Sequence, residues 1–443
     1  MSLVEQIRQL VALDSSSGAG NLEVVQYLQN LAKEFGLMSS VQEIIHDGQE
    51  QANLLIGSKL DANFELILQS HLDTSDPGPY AKWTKSRSNP FEATVYGDEI
   101  FGLGVADAKV DILCKLHALK ESKNARGVGF LGTFGQQSGM VGIRKLLKKS
   151  WIVPKRVLIG EPTSLNLIRS GAGLIEMETN IPFSPSEQNY RKQHDQSESR
   201  SSQSKMFYGK QSHSLNFEDE DNALVKLLDF LEQMPSGIAL LDVDGGVNNY
   251  MVPGSSVLEF DVEATLKDTM SSKLNSLHSF LRDLESRFGS YRSSDAIPEI
   301  PKMNIAQMRT YNDFVKVQGS GRFSPNIPSD VYESWVKDLG AKCKSIGGDF
   351  RIKNFQRPFE VSKDTDFFVQ CKKMLTELKI SSLEDRTGAL TEANVLAKSG
   401  IDVLVFGPGQ GVGNSQEPNE RILISESHMA KAFYSKTIER FRH

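Results

Sequence analysis

The chain of 443 residues is too long for one small domain and fits two or three. Hydrophobic residues make up 39% and charged residues 24%, which excludes a disordered or fibrous protein. The 50 basic and 56 acidic residues give a net charge of −6, so we expect neither nucleic-acid binding nor attachment to an anionic membrane.

The cell compartment is predicted from cysteines and hydropathy. The three cysteines are far apart and form no CxxC pair, so neither a disulfide framework nor a thiolate zinc site is expected. Residues 1–18 predict an amphipathic helix rather than a signal peptide, because Glu5 and Arg8 interrupt the apolar stretch. No apolar run approaches the roughly 18 residues of a membrane span. We therefore expect a cytoplasmic protein.

The first part of the chain alternates strands with helices. Helical spacing of apolar residues predicts helices across residues 3–37, around a polar loop at 14–20. Strands are then predicted at 53–57, 64–69, 128–134 and 156–160, and helices near 107–121 and 140–149. This alternation predicts an α/β fold with a largely parallel sheet flanked by helices, whose active groups lie beyond the carboxyl ends of the strands.

The middle of the chain changes character. Residues 184–205 contain almost nothing able to form a core and are predicted as a mobile, disordered surface loop. The helices and strands around that loop predict a separate α+β unit, after which the doubly wound pattern resumes. We therefore predict that residues 1–172 and 356–443 form one domain and that residues 173–355 form an inserted lid.

Five polar clusters fall in loops of this pattern. His71 and Asp73 follow a strand two residues apart, so both side chains can project from one side of its end. Asp107 follows a glycine turn at the start of a helix, where helix capping is the simple alternative. The other clusters are turns around Gln136-Gln137, Glu161-Pro162-Thr163 and Gly407-Pro408-Gly409. Taken alone, each cluster is more often structural than functional.

In their order and spacing these clusters resemble the M20 metallopeptidases, a family that includes acetylornithine deacetylase, succinyl-diaminopimelate desuccinylase, aminoacylase and carboxypeptidase relatives. The family's W…PF…GxGxxDxK sequence is matched by Trp83, Pro90-Phe91, Gly102, Gly104 and Asp107-Ala108-Lys109. Later blocks match at Glu161-Pro162-Thr163, Lys210–His213, Asn222-Ala223, Arg357-Pro358-Phe359, Thr391-Glu392 and Gly407-Pro408-Gly409. The resemblance implies a zinc-exopeptidase-like fold with a lid that also serves dimerisation.

The resemblance also implies roles for individual residues. In the family two zinc ions, bridged by an aspartate and a hydroxide, hydrolyse an amide bond. His71 and Glu161 resemble ligands of the first zinc, Asp107 resembles the bridging ligand, and Asp73 resembles the group that orients His71. The implied ligand is an N-acyl amino acid or a small peptide.

The other half of the site departs from the family. Gln136-Gln137 replaces a Glu-Glu pair, of which the first residue is the family's general base and the second a ligand of the other zinc. Gln416 stands where the family has its C-terminal histidine ligand. An amide is a poor zinc ligand and has no useful basicity near neutral pH, and its presence leaves a two-zinc site with excess positive charge. We therefore expect at most one zinc per chain, or none.

The lid residues are matched in part. His213 resembles the lid histidine that reaches across a dimer to the substrate carbonyl. The family's lid asparagine corresponds to Asn249 or is displaced by Tyr250, and its lid arginine position is occupied by Glu263 or by Arg322 in different alignments. In the first domain, Thr391 and Gly407 are the predicted substrate-binding residues.

Two functional hypotheses follow. In the first, the chain is a catalytically inactive or strongly impaired M20 homologue that acts by binding a ligand or partner, because loss of a general base costs roughly 100- to 10,000-fold in rate. In the second, it is an active hydrolase with one zinc and a base recruited from elsewhere, such as Glu392 or Glu417.

Overall fold

The computed structural model describes residues 1–16, 18–60, 63–122, 125–136, 138–196, 202–213, 221–249 and 251–442, without the side chains of Asp195 and His213. These residues divide into two compact units. The first unit is Met1–Gly171 with Phe359–His443, and the second is Ala172–Pro358. The boundaries predicted from the sequence, at 172/173 and 355/356, lie one residue after and three residues before these positions.

The elements are numbered in chain order. The helices are α1 Leu3–Val11, α2 Leu22–Glu34, α3 Val110–Glu121, α4 Val141–Lys149, α5 Pro185–Asp195, α6 Ala223–Gln233, α7 Met270–Phe288, α8 Ser329–Ser345, α9 Asp366–Glu377, α10 Ala393–Leu396 and α11 Ile424–Phe441. The strands are β1 Met38–His46, β2 Gln49–Gly57, β3 Asn63–His71, β4 Thr94–Tyr96, β5 Glu99–Phe101, β6 Val128–Thr133, β7 Val153–Gly160, β8 Ser170–Gly171, β9 Gly173–Pro182, β10 Gln203–Tyr208, β11 Ser212–His213, β12 Ile238–Gly245, β13 Met251–Val252, β14 Ser255–Val262, β15 Lys302–Thr310, β16 Phe314–Phe323, β17 Asp349–Gln356, β18 Phe359–Glu360, β19 Arg386–Thr387, β20 Asp402–Val405 and β21 Arg421–Leu423.

The first unit is built on a six-stranded sheet in the order β1-β2-β6-β3-β7-β20. Strands β6, β3, β7 and β20 are parallel, while β1 and β2 form an antiparallel edge. Both faces of the sheet are covered, since Leu66 and Leu68 pack into one apolar cluster and Ile67 packs into another. This confirms the predicted mixed, largely parallel sheet flanked by helices. The carboxyl ends of its parallel strands therefore lie along one edge.

The second unit contains a seven-stranded antiparallel sheet in the order β10-β14-β12-β15-β16-β9-β17. Its core combines strand residues such as Ile175 and Val315 with Leu227 of α6, Leu274 of α7 and Trp335 of α8. The unit is thus α+β, with its own apolar core. Among the described residues of the whole chain, no helix is long and apolar enough to cross a membrane.

The prediction of a disordered loop at residues 184–205 is wrong for its described part, which contains α5 and the start of β10; residues 197–201 lie outside the described residues. Helix α5 is held by a polar anchor that composition does not reveal. The buried Glu187 carboxylate accepts hydrogen bonds from the main-chain N–H groups of Leu240 (3.2 Å) and Met270 (2.8 Å). Strand β10 pairs through its backbone with β14, which requires few apolar side chains.

The start of α5 is testable through its capping residue. Ser184 Oγ accepts a hydrogen bond from Glu187 N at 3.3 Å, so Ser184→Ala should destabilise the protein by about 1 kcal/mol. The free energy of unfolding from urea denaturation checks this value. Asn189→Ala, at an exposed position of the same helix, is the control, and equal effects of the two substitutions would contradict the assigned cap.

Candidate metal centre

The site forms where three neighbouring parallel strands end. His71 is the last residue of β3, Glu161 directly follows β7, and Thr133 is the last residue of β6. The register pairs His71 with Thr133 and Ser70 with Gly160, so these strand ends are level. Adjacent parallel strands therefore bring His71 and Glu161 together although 90 residues separate them in the chain.

Asp107 is presented by an irregular turn before α3. Within Val105–Lys109 the backbone departs from helical geometry at Asp107 (φ −136°, ψ 88°) and at Ala108 (φ −135°, ψ 24°). The buried Glu420 carboxylate accepts hydrogen bonds from the N–H groups of Gly104 (3.1 Å), Ala106 (2.8 Å) and Asp107 (3.0 Å). Sequence reasoning missed this role of Glu420, for which its place in the loop that follows Gln416 is the one available signal.

Three side chains converge at the site. His71 Nε2 lies 2.7 Å from Asp107 Oδ1, and the ligand atoms of His71, Asp107 and Glu161 all lie within 4.8 Å of one another. An imidazole with two carboxylates is a donor set that zinc accepts, and three protein ligands leave one tetrahedral position open. The residues present therefore fit a single zinc ion.

Asp73 orients His71 differently from the sequence-based expectation. His71 Nδ1 is hydrogen-bonded to the main-chain oxygen of Asp73 at 2.8 Å, whereas the nearer carboxylate oxygen of Asp73 is 3.8 Å away. That carboxylate instead accepts a hydrogen bond from the main-chain N–H of Gln136 at 3.2 Å. Asp73 thus holds the imidazole through its backbone and the Gln136 turn through its side chain.

Two of the three glutamines at the site hydrogen-bond to the candidate ligands. Gln136 Nε2 donates to Glu161 Oε1 at 3.1 Å, and Gln416 Nε2 donates to Asp107 Oδ2 at 2.8 Å. Each amide therefore turns its N–H group, rather than its oxygen, toward the carboxylate. Gln137, the third residue of this set, lies outside the described residues.

The three candidate ligands are strongly coupled. Burial alone would lower the pKa of His71, but the charge and hydrogen bond of Asp107, with Asp73 and Glu161, raise it well above 6.5. Burial opposes ionisation of Asp107, yet His71 and Gln416 lower its pKa. Burial and the Asp107 charge raise the pKa of Glu161 well above 4.5. Without a metal, this coupling thus favours the imidazolium form of His71 beside the Asp107 carboxylate and opposes the ionisation of Glu161.

Glu392 lies against the same strand ends. Thr133 Oγ1 is hydrogen-bonded to both Glu392 carboxylate oxygens, at 2.8 and 3.0 Å. Burial raises the pKa of Glu392 to about 8, so it is mainly protonated at neutral pH. The other base considered from sequence, Glu417, is exposed, and its main-chain oxygen accepts from Glu420 N at 3.0 Å.

The predicted substrate residues divide between the two units. In the first unit, Thr391 is buried beside Glu392, and Gly407 N donates to Thr163 Oγ1 at 3.1 Å next to Glu161. Asn249 and Arg322 belong to the second unit, where Arg322 is buried on β16 and the main-chain oxygen of Asn249 accepts from Ser320 Oγ at 3.0 Å. The backbone of His213 pairs with Met251 in the same unit.

One further group of possible metal ligands lies in the second unit and was not predicted. Asp229, Glu232 and His278 approach one another there. Arg282 Nη1 lies 3.2 Å from Asp229 Oδ1 and 2.8 Å from Glu232 Oε2. Because this guanidinium already pairs with both carboxylates, the group is an ion-pair network and a weaker metal candidate.

A model of peptidase family M20/M25/M40 matches residues 67–440, most of the chain. The chain therefore belongs to this family of hydrolases. This confirms the family resemblance inferred from the sequence motifs.

Curated relatives include two acetylornithine deacetylases. The protein from Buchnera aphidicola subsp. Schizaphis graminum is 25% identical over 40% of this chain and 45% of its own length. The protein from Yersinia pseudotuberculosis is 29% identical over 39% of this chain and 46% of its own length. The alignments thus span about half the length of these relatives.

Solved structures share the fold across the whole chain. Aminoacylhistidine dipeptidase from Vibrio alginolyticus has a TM-score of 0.66 at 13% identity, and covers 100% of this chain and 96% of its own. An M20 family metallo-carboxypeptidase from Sulfolobus solfataricus has a TM-score of 0.61 at 15% identity, with coverage of 100% and 99%. At such identities the likeness establishes the fold alone.

The pKa shifts predict how metal binding depends on pH. Despite burial, the neighbouring carboxylates raise the pKa of His71, burial and the Asp107 charge raise that of Glu161, and a ligand must lose its proton to bind zinc. Zinc affinity should therefore increase as pH rises, by about tenfold per pH unit for each ligand that is still protonated. Calorimetry in buffers of different ionisation enthalpy measures the protons released. Glu161→Gln should release one proton fewer, and pH-independent binding would contradict the assignment.

Proposed function

We propose that this M20 family member binds one zinc ion per chain through His71, Asp107 and Glu161, and that it has lost efficient amide hydrolysis. In this proposal the protein acts by binding a ligand rather than by turning it over. The observation that carries the proposal is the hydrogen bonding of Gln136 to Glu161 and of Gln416 to Asp107. The Gln416 amide serves Asp107 as a donor, where a second metal would need an acceptor, and the Gln136 amide stands where the family has its base.

Charge balance supports one metal rather than two. One Zn²⁺ with the ionised Asp107 and Glu161 and the neutral His71 sums to 2 − 1 − 1 = 0. A second Zn²⁺ would add two positive charges, whereas Gln137 and Gln416, which replace the family's ligands of that ion, are neutral. Since cations about 4 Å apart repel strongly in a buried site, the single-metal arrangement is favoured.

The loss of hydrolysis follows from the chemistry at position 136. Zinc bound at this site would supply Lewis acidity that polarises the carbonyl oxygen of an amide ligand. Proton transfer would still need a base, and the carboxamide of Gln136 does not act as a base near neutral pH. Its Nε2 is engaged by Glu161 and by the main-chain oxygen of Leu390 at 3.3 Å. The site is therefore suited to hold an amide without cleaving it.

The proposed ligand is an N-acyl amino acid or a small peptide. M20 peptidases act on such compounds, and the similar proteins include deacetylases and dipeptidases by name. In the first unit, Thr391 and Gly407 flank Glu392 and Glu161 and are the proposed contacts for the ligand. His213, Asn249 and Arg322 are proposed to contribute from the lid.

Dimerisation through the lid and a cytoplasmic location belong to the same proposal. The lid presents β10 at the edge of its sheet, with Met206 and Tyr208 exposed. An edge strand of this kind can pair with a second copy. All three cysteines are buried as free thiols, which suits a reducing compartment.

A second candidate function is a one-zinc hydrolase that uses Glu392 as its base. This alternative is favoured by the burial of Glu392 and by its pKa of about 8. Because only the ionised carboxylate accepts a proton, such activity would rise as pH increases through about 8. Activity with this pH profile that is lost in Glu392→Gln would establish the alternative.

Zinc stoichiometry tests the first part of the proposal. Protein purified without an affinity-tag metal and equilibrated with dilute zinc should retain about one zinc per chain by elemental analysis. His71→Ala should retain almost none, because it removes the only imidazole of the site. His278→Ala, in the ion-pair network of the second unit, is the matched control and should keep its zinc. Two zinc ions, or none, would overturn the proposal.

Restoring the family residues tests the second part. Gln136→Glu/Gln137→Glu/Gln416→His should bind a second zinc and hydrolyse N-acyl amino acids or dipeptides at least about 100-fold faster than the unsubstituted protein. The same variant with His71→Ala controls for contaminating hydrolases. Hydrolysis by the unsubstituted protein that disappears in His71→Ala would contradict the proposal that the protein binds its ligand without hydrolysing it.

A further inference from the structure

A buried ion-pair cluster lies behind the metal centre. Asp111 and Lys115 stand one turn apart on α3, and Asp111 Oδ2 is 2.6 Å from Lys115 Nζ. Tyr434 of α11 donates its hydroxyl to Asp111, and its ring centre is 5.1 Å from Lys115 Nζ. All three side chains are at most 1% exposed. We call Asp111, Lys115 and Tyr434 the ion-pair cluster.

The ion-pair cluster is attached to the end of β3. Lys115 Nζ donates to the main-chain oxygen of Gln69 at 2.6 Å and to Ser70 Oγ at 3.0 Å. Ser70 Oγ in turn donates to Asp111 Oδ2 at 2.7 Å. Ser70 directly precedes His71, so these bonds fix the backbone from which the imidazole projects.

The ion-pair cluster also contacts the ends of β7 and β20. Gly160, which precedes Glu161, packs so closely that a Cβ there would collide with Asp111 Oδ2 and Lys115 Nζ. The Tyr434 hydroxyl lies 3.1 Å from the main-chain oxygen of Phe406, which precedes Gly407. The ion-pair cluster thus contacts three residues at the ends of adjacent strands, and each of them directly precedes a residue of the site.

Such a cluster is not explained by stability alone. Taking two charges out of water costs several kcal/mol per ion, and replacing a buried ion pair by uncharged residues of similar size is often neutral or stabilising. The hydrogen bonds of Lys115 to β3 do have a geometric effect, since they fix Ser70 relative to α3.

We propose that the ion-pair cluster is a positioning device for the metal centre, which holds His71 and Glu161 at the separation that one zinc ion requires. This inference rests on the proposed one-zinc site. Lys115 and Asp111 touch no ligand and no metal in this role. They act through Ser70 and Gly160, the residues that precede the ligands. Groups that orient metal ligands typically contribute 10- to 100-fold to metal affinity.

The test compares metal affinity with stability. Asp111→Asn/Lys115→Met removes both charges and keeps side chains of similar size. The zinc dissociation constant, from competition with a chelating dye, should rise by at least about tenfold. The thermal midpoint of the metal-free variant should stay equal to that of the unsubstituted protein or rise, because no buried charge is left unpaired. A merely structural role would lower the midpoint and leave the zinc affinity unchanged.

Two further variants complete the test. Lys273→Met removes a buried lysine of the second unit that donates to the main-chain oxygen of Pro182 at 2.8 Å, and should leave the zinc affinity unchanged. Tyr434→Phe removes only the hydroxyl that joins Asp111 to Phe406, and should weaken zinc binding by a smaller factor, at least about threefold. If the double variant does not fold, Tyr434→Phe decides.

The outcomes separate the two proposals. Zinc binding by the unsubstituted protein that is lost in His71→Ala but unchanged in the double variant and in Tyr434→Phe would overturn the positioning role alone. An absence of zinc binding by the unsubstituted protein would overturn the one-zinc site and the positioning role together.

Discussion

The contact between the His71 imidazole and the Asp107 carboxylate is the constraint around which the metal centre is organised. It places opposite charges 2.7 Å apart in a site where both side chains are almost fully buried. Two different segments must meet for this contact to form. The end of β3 supplies His71, and the irregular turn before α3 supplies Asp107. Most of the remaining polar contacts of the site hold either the end of β3 or this turn in place.

A replacement of carboxylate and imidazole by amides, as proposed for Gln136 and Gln416, changes the charge of the site and largely keeps its shape. A glutamine has the length of a glutamate, and its N–H groups can hydrogen-bond to the carboxylates that remain. Gln136 and Gln416 do this for Glu161 and Asp107. The carboxylates therefore have partners even without a second cation. The geometry of a hydrolase site and the capacity for proton transfer are separable, because hydrogen bonding needs donors whereas catalysis needs a base.

Much of the site could be predicted because parallel strands impose a simple rule. A polar residue directly after a buried strand falls at the carboxyl edge, and this locates His71 and Glu161 without knowledge of the tertiary structure. The pairing of Gln416 with Asp107 agrees with the motif order as well, although 309 residues separate them. The predicted strands and helices of the first unit followed from apolar periodicity alone.

Other features depend on contacts that no local pattern encodes. In the sequence, the spacing of Asp111 and Lys115 is that of an ordinary solvent-exposed helix pair. Their burial results from packing against α11 and Gly160, which this spacing does not reveal. Glu187 looks like one polar residue among many in a segment of low hydrophobicity, yet it anchors α5 from a fully buried position. Whether the backbone or the carboxylate of Asp73 is the partner of His71 depends on a difference in distance of about 1 Å, which sequence spacing does not resolve.

The dependence of the Asp107 turn on Glu420 has a consequence for biosynthesis. The N–H groups of Gly104, Ala106 and Asp107 gain their acceptor only when a carboxylate more than 310 residues later has left the ribosome. The second unit, by contrast, is one continuous segment, Ala172–Pro358, with its own apolar core. On a growing chain the metal centre is therefore among the last parts to be completed, after every residue of the second unit is already available for folding.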